Sequence, residues 1–274
     1  MEIKNINWEG SSVQYKIFGQ GKTIILLHGF GEDSNVWKPQ VDFLQQYFRL
    51  VLPNIPGSGQ SQFVANANIE TYAEILKAII HDDLSNITST GEETEAKISL
   101  IGHSMGGYVT MAFAEKYPQY LNSFGLFHSS AFADTEEKKE TRRKAISFIE
   151  NKGGYAFLKT SIPGLFTKEY AEKYPDKLEG LIEDAKKFSN EALVKYFEAM
   201  IARPDRTAVL KNFKKPILFL IGEHDPAVPL QVSLQQCYLP AQSHVKILKH
   251  SAHMGMWEEI VTANEFLLEF LLQV

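Results

Sequence analysis

Apolar and polar positions along the first half of the chain follow two alternating periods. Residues 3–8 and 12–18 read as two strands joined at Gly10, the second with partial alternation. Thr23–Leu27 is a β-rich apolar run, the mark of a strand buried on both faces of a parallel sheet. Ser34 then stands where an N-cap is expected, and Trp37, Val41, Leu44 and Tyr47 follow at helical spacing. Arg49–Leu52 is a further short strand, and residues 53–61 are a loop by composition. An amphipathic helix is expected over 70–88, through Tyr72, Ile75, Leu76, Ile79, Ile80 and Leu84. The polar loop Ser89–Glu95 leads to the apolar run Ile98–Ile101, a helix over Gly107–Tyr117 and a strand over Ser123–His128. Such regular alternation predicts an α/β fold, a mostly parallel sheet with helices on both faces.

The pattern then changes. From Phe132 to about Leu210 the signals are helical: Thr135–Asn151, a segment near Tyr155–Ser161, Lys168–Lys187 interrupted at Pro175, and Asn190–Ala202. Residues 132–210 therefore read as a helical lobe inserted into one α/β domain formed by 1–131 and 211–274. Strands at Ile217–Ile221 and Val245–Leu248 and a helix at Glu258–Leu272 complete that domain.

Composition narrows the functions open to it. The 274 residues suffice for one large domain with a sizeable core. A net charge of −5 argues against nucleic acid or a membrane surface as partner, and basic residues over 138–144 alternate with glutamates. A single cysteine, Cys237, leaves no internal disulfide and no zinc cluster. His250/His253 and His224/Asp225 lack a third clustered ligand, so neither a metal nor any other cofactor is expected. No signal peptide or membrane-length apolar run is visible, which sets the expectation of a cytoplasmic protein.

The chemistry starts at Leu100–Gly107, Leu-Ile-Gly-His-Ser-Met-Gly-Gly, which holds Gly-x-Ser-x-Gly at Gly102, Ser104 and Gly106. Strand, sharp turn and helix around such a pattern make a nucleophile elbow: the serine hydroxyl is exposed at the tip, and the glycines let strand and helix approach.

With this motif in place, the whole chain resembles the α/β-hydrolase fold family, of which an eight-stranded sheet and a helical cap are implied. His28-Gly29-Phe30-Gly31 is similar to the family's oxyanion loop. Residues 53–61 resemble its Asp-x-Pro-Gly-x-Gly-x-Ser loop, with Asn54 in place of the aspartate. That position supports the loop in the family and is not the triad acid. Residues 222–229, Gly-Glu-His-Asp-Pro-Ala-Val-Pro, look like the acid loop, and His253 lies where the family places its histidine. A serine at the elbow resembles the esterase and C–C hydrolase branches and argues against dehalogenases and epoxide hydrolases, which use aspartate.

The resemblance implies Ser104 as nucleophile, His253 as base and Asp225 as its orienting acid, in the order expected for this fold. Asp134 is the reserve acid and His250 the rival histidine. The oxyanion donors implied are the backbone N–H groups of Phe30 and Met105, with His28 bracing its loop. Phe132, Phe157 and Phe166 are candidates to line a pocket, together with Tyr155, Leu158 and Ile162, and His128 can reach it from its strand end. Arg142, Arg143 and Arg203 are candidates for a substrate carboxylate, with surface ion pairing the expected role. A small, mostly apolar ester is the substrate expected of a serine hydrolase with this cap. The same triad would also serve C–C bond cleavage or a lyase step, or a ligand sensor.

Overall fold

The fold is known from a computed structural model that describes residues 1–84 and 97–274. Eight strands form one sheet: β1 (Glu2–Trp8), β2 (Ser11–Phe18), β3 (Thr23–Leu27), β4 (Arg49–Pro53), β5 (Ile98–His103), β6 (Leu121–Phe127), β7 (Ile217–Gly222) and β8 (Ser243–Leu248). Their spatial order is β1-β2-β4-β3-β5-β6-β7-β8. The first hairpin and the β2/β4 pair are antiparallel and every other pair is parallel. Every residue of β5 and of β7 is buried, as expected of central strands covered on both faces.

Helices α1 (Lys38–Leu44), α2 (Ile69–Leu84) and α3 (Met105–Lys116) cross over between the first parallel strands. Six more stand between β6 and β7 among the described residues: α4 (Glu136–Lys152), α5 (Gly154–Ser161), α6 (Lys168–Lys173), α7 (Pro175–Asp184), α8 (Asn190–Ala202) and α9 (Thr207–Asn212). Thr135 caps α4 through its hydroxyl, Pro175 opens α7 at a position where its missing N–H costs nothing, and Ser189 caps α8. The chain ends with α10 (Leu230–Cys237), α11 (Gly255–Glu258) and α12 (Ile260–Gln273). No helix among the described residues is long and apolar enough to cross a membrane.

Two local expectations need correction, and one helix has no sequence signal. The cap before α1 is Asp33, whose carboxylate accepts the Asn35 N–H at 2.7 Å, and not Ser34, which is the first residue of a 3₁₀ turn. Tyr47 lies beyond the end of α1 and is exposed, although Trp37, Val41 and Leu44 are buried. Helix α10 carries no clear apolar period and was not foreseen. The expected loop Ser89–Glu95, and positions 85–88 of the expected helix over 70–88, lie outside the described residues.

Candidate active site

Ser104 sits between β5 and α3 with φ +50° and ψ −116°, a conformation that side chains other than glycine rarely adopt. The turn is held by the Ser104 N–H donating to Phe127 O at 3.0 Å and by Ser129 Oγ donating to Ser104 O at 2.7 Å. Its glycines are steric requirements. A Cβ on Gly106 would stand 2.6 Å from the carbonyl oxygens of Leu27 and His28, and one on Gly102 would stand 2.3 Å from Gly106 O. Met105 is the first residue of α3, so its N–H has no partner within the helix and opens at the positive end of the helix dipole.

The facing loop is locked from below. His28 is buried; Nδ1 donates to Gly29 O at 2.8 Å, and Nε2 accepts the Ile55 N–H at 2.9 Å. That tie joins the Phe30 loop to the 53–61 loop, and burial depresses the His28 pKa, keeping the ring neutral. Asn54 performs the loop-supporting task, accepting the Ser34 N–H at 2.9 Å and donating to Gln14 Oε1 at 3.2 Å.

Asp225 follows β7 on a turn in which its Oδ1 accepts the N–H groups of Ala227 and Val228 at 2.8 and 2.9 Å. His253 Nδ1 donates to its Oδ2 at 2.8 Å across 28 residues of sequence, and both side chains are buried. Burial alone would raise the Asp225 pKa; its electrostatic interaction with His253, with the hydrogen bonds to His128 and His253, holds it far below the carboxylate range. His250 is exposed. Asp134 is turned to Arg142 and Arg203, so the reserve acid is occupied elsewhere.

Ser104, His253 and Phe30 share the wall of one cavity of about 770 Å³. Of the residues expected to line it, Phe157, Phe166, Leu158 and Ile162 stand on the wall. Phe132, Tyr155 and His128 do not, which corrects those three expectations. His128, with φ +49°, is buried behind Asp225: its Nδ1 lies 3.2 Å from Asp225 Oδ2 and its Nε2 accepts the Gly255 N–H at 3.1 Å. Burial lowers its pKa to about 4, so it is neutral. One ligand atom each from His128, Asp225 and His253 lies within 4.8 Å of the others, a third group that sequence spacing did not reveal. Both Nδ1 atoms are already engaged with Asp225, so the arrangement does not fit a cation.

A family model described as serine aminopeptidase, S33, matches residues 20–259. The chain belongs to that family. It is similar to the 2-hydroxy-6-oxononadienedioate/2-hydroxy-6-oxononatrienedioate hydrolases of Paraburkholderia phymatum, at 25% identity, and of Escherichia coli K12, at 27%. Each match covers 94% of this chain and 90% of the relative. Among solved structures it resembles a thermophilic esterase from Thermogutta terrifontis, in its malate-bound form, at 27% identity. That match has a TM-score of 0.87 and covers 100% of this chain and 99% of the other. The enol-lactonase of Burkholderia xenovorans LB400 shares the fold at 22% identity and a TM-score of 0.87, over 98% and 99% of the two chains. The protein is a hydrolase of the α/β-hydrolase superfamily.

Three residues of this hydrolase escaped sequence reasoning. Glu32 Oε2 accepts both the Gly29 N–H at 2.6 Å and His103 Nδ1–H at 2.9 Å, beneath the elbow. Glu258 accepts the Thr167 N–H at 2.7 Å from the inserted helices and the Ala252 N–H at 2.9 Å beside His253. Gln236 on α10 donates to Ser129 O and accepts the Ala131 N–H, fixing the chain where it leaves the sheet. Only the motif-adjacent position of Glu32 offered any signal.

Proposed function

We propose that this chain is a serine hydrolase that cleaves small carboxylic esters through an acyl-enzyme. One observation carries the reading: a strained, cavity-facing Ser104 shares its wall with His253, whose Nδ1 is anchored on the buried Asp225. Because Nδ1 spends its proton on a carboxylate that can only accept, Nε2 is the basic nitrogen that faces chemistry. In the proposed reaction His253 Nε2 takes the Ser104 hydroxyl proton as Oγ attacks the carbonyl carbon. The Phe30 and Met105 N–H groups receive the negative oxygen, a contribution of about 3–4 kcal/mol per donor. His253 then returns the proton to the departing alkoxide. Water, deprotonated by the same nitrogen, releases the acid and restores Ser104. Asp225 stabilises the imidazolium and holds its tautomer throughout. Every group in the cycle belongs to the chain or to water, so no cofactor enters, and the inserted helices over the serine suit a small-molecule substrate better than a polymer.

C–C bond hydrolysis is the second reading, and one observation favours it: the relatives matched over 94% of this chain carry that activity in their names. The two readings share the acyl-serine and differ in whether an alkoxide or a carbanion leaves.

The deciding experiment pairs p-nitrophenyl butyrate turnover with fluorophosphonate labelling and mass spectrometry. The label is expected on Ser104, and Ser104→Ala is expected to lower kcat by at least about 10⁴-fold. Turnover that persists undiminished in that variant would remove Ser104 from the chemistry. Absence of any turnover, with tight binding of a small molecule, would favour a sensor.

A further inference from the structure

Arg142 and Arg203 do not form the surface ion pairs expected of them; Arg143 does, with Glu140. Asp134 is buried between the first two. Its Oδ2 accepts Arg142 Nε–H at 2.6 Å and its Oδ1 accepts Arg203 Nη2–H at 2.8 Å. Arg203 is spent in this arrangement: Nη2 also donates to Phe132 O, Nη1 donates to Met200 O, and its guanidinium lies 3.7 Å from the Tyr108 ring centroid. Arg142 is not. Among the described residues its two Nη atoms have no hydrogen-bond partner, yet neither is sealed from solvent, and the residue lines the cavity. The same holds for the Tyr108 hydroxyl.

These groups stand close to the proposed chemistry. Tyr108 lies four residues beyond Ser104 along α3, a rise of about 6 Å on one face of the helix. The Arg142 guanidinium lies 5.9 Å from the Phe197 ring, which is itself 4.3 Å from the Phe30 ring of the oxyanion loop. Lys138, on the same wall, donates from Nζ to the neutral Ala227 O at 2.8 Å. Arg142 and Arg203 thus flank one buried carboxylate, and the remaining wall carboxylate of α4, Glu137, is exposed. The phenol of Tyr108 registers that field: burial would raise its pKa, but Arg203, Lys138 and Arg142 together bring it below the ordinary value. The wall also carries Glu32, Asp33, Lys38, Asp184 and Lys187; beside Tyr108 the cations of Arg142, Arg203 and Lys138 outnumber the one buried carboxylate, Asp134, and a fork of two donors opens to the cavity.

We propose that Arg142 and Tyr108 form a subsite for a carboxylate of the substrate, about one helical turn from the carbonyl attacked by Ser104. This deepens the reading of the previous subsection and rests on it. Asp134 has a defined role in it: by holding Nε it fixes the guanidinium plane and leaves the Nη pair presented, the geometry that binds a carboxylate with two parallel bonds. Spanning the gap takes an acyl chain of about four to six carbons.

The test compares esters whose acyl chains end in a carboxylate or in a methyl group: monophenyl glutarate against phenyl valerate, and monophenyl adipate against phenyl hexanoate. In at least one pair the acid is expected to be preferred by tenfold or more in kcat/KM. Arg142→Gln is expected to bring that ratio near one, and Arg142→Lys to keep part of it. Because the readout is a ratio within each variant, a general loss of folded enzyme does not imitate it. Calorimetric titration of glutarate into Ser104→Ala, with and without Arg142→Gln, reads the subsite without any turnover; a rise in Kd of about tenfold or more is expected. Ratios near one in both wild-type pairs, or a preference that survives Arg142→Gln, overturn the subsite. Glutarate binding that depends on Arg142 in a protein without esterase activity would retain the subsite while rejecting the ester reading.

Discussion

His103 is held between two groups that can only accept. Nδ1 meets Glu32 Oε2 at 2.9 Å and Nε2 meets the His253 carbonyl at 3.0 Å, an arrangement that favours a proton on each ring nitrogen. Burial opposes that charge, but Glu32 and the carbonyl outweigh it and raise the His103 pKa above 6.5; Glu32 in turn is held below 4.5 despite its own burial. The signs define a window. A raised histidine contributes stability that is complete below 6.5 and fades as pH climbs through the folded value. A depressed carboxylate contributes above 4.5 and loses it as pH falls through the folded value. Glu32→Gln should therefore lower Tm most between pH 4.5 and 6.5, and the gap to wild type should narrow at alkaline pH. Thermal unfolding followed across pH measures this, and a gap that does not vary with pH would refute the ion pair. In the sequence His103 stands out only as the residue before Ser104, because its partner Glu32 lies 71 residues away.

At the scale of elements, the histidine loop is tied to the inserted helices at two points. The His253 N–H donates to Leu165 O at 2.9 Å, and Glu258 joins Thr167 to Ala252. Burial raises the Glu258 pKa although three backbone N–H groups pull it down, so the carboxylate is held by geometry at an electrostatic cost. Glu258→Gln keeps the shape and removes the charge. It should destabilise the fold by about 1–3 kcal/mol and lower kcat more than it changes KM, since it loosens the placement of His253 and not the cavity wall. Urea unfolding and steady-state kinetics would reveal this; a change confined to KM would mean the loop does not depend on the tie. Most elements were legible beforehand, and Asn190–Ala202 was read to the residue, since a capped, periodic helix is specified locally. Helix α10 was not, because its residues are chosen for contacts such as that of Gln236 with the distant Ser129.

For the whole molecule, the inserted helices turn the open end of the sheet into a bounded cavity. At about 770 Å³ it lies in the range of small-molecule sites. Its apolar wall combines Phe30 from the core with Phe157, Leu158 and Phe197 from the inserted helices. For neutral p-nitrophenyl esters, each added methylene should contribute about 0.8 kcal/mol, or roughly a fourfold gain in kcat/KM, until the chain fills the space and the trend reverses. A flat profile from acetate to octanoate would show that the acyl chain does not enter the cavity.

Most of the order of strands and helices, the elbow at Ser104 and the need for glycine at 102 and 106 were written in the sequence alone. Burial on both sheet faces and the close passage of strand and helix restrict residue type position by position, which leaves a local pattern in the sequence. Which histidine meets Asp225, where His128 and Phe132 point, and that Asp134 joins two arginines and leaves one of them open were decided only by tertiary structure. Those contacts join side chains far apart along the chain, and each depends on how helices and sheet pack together.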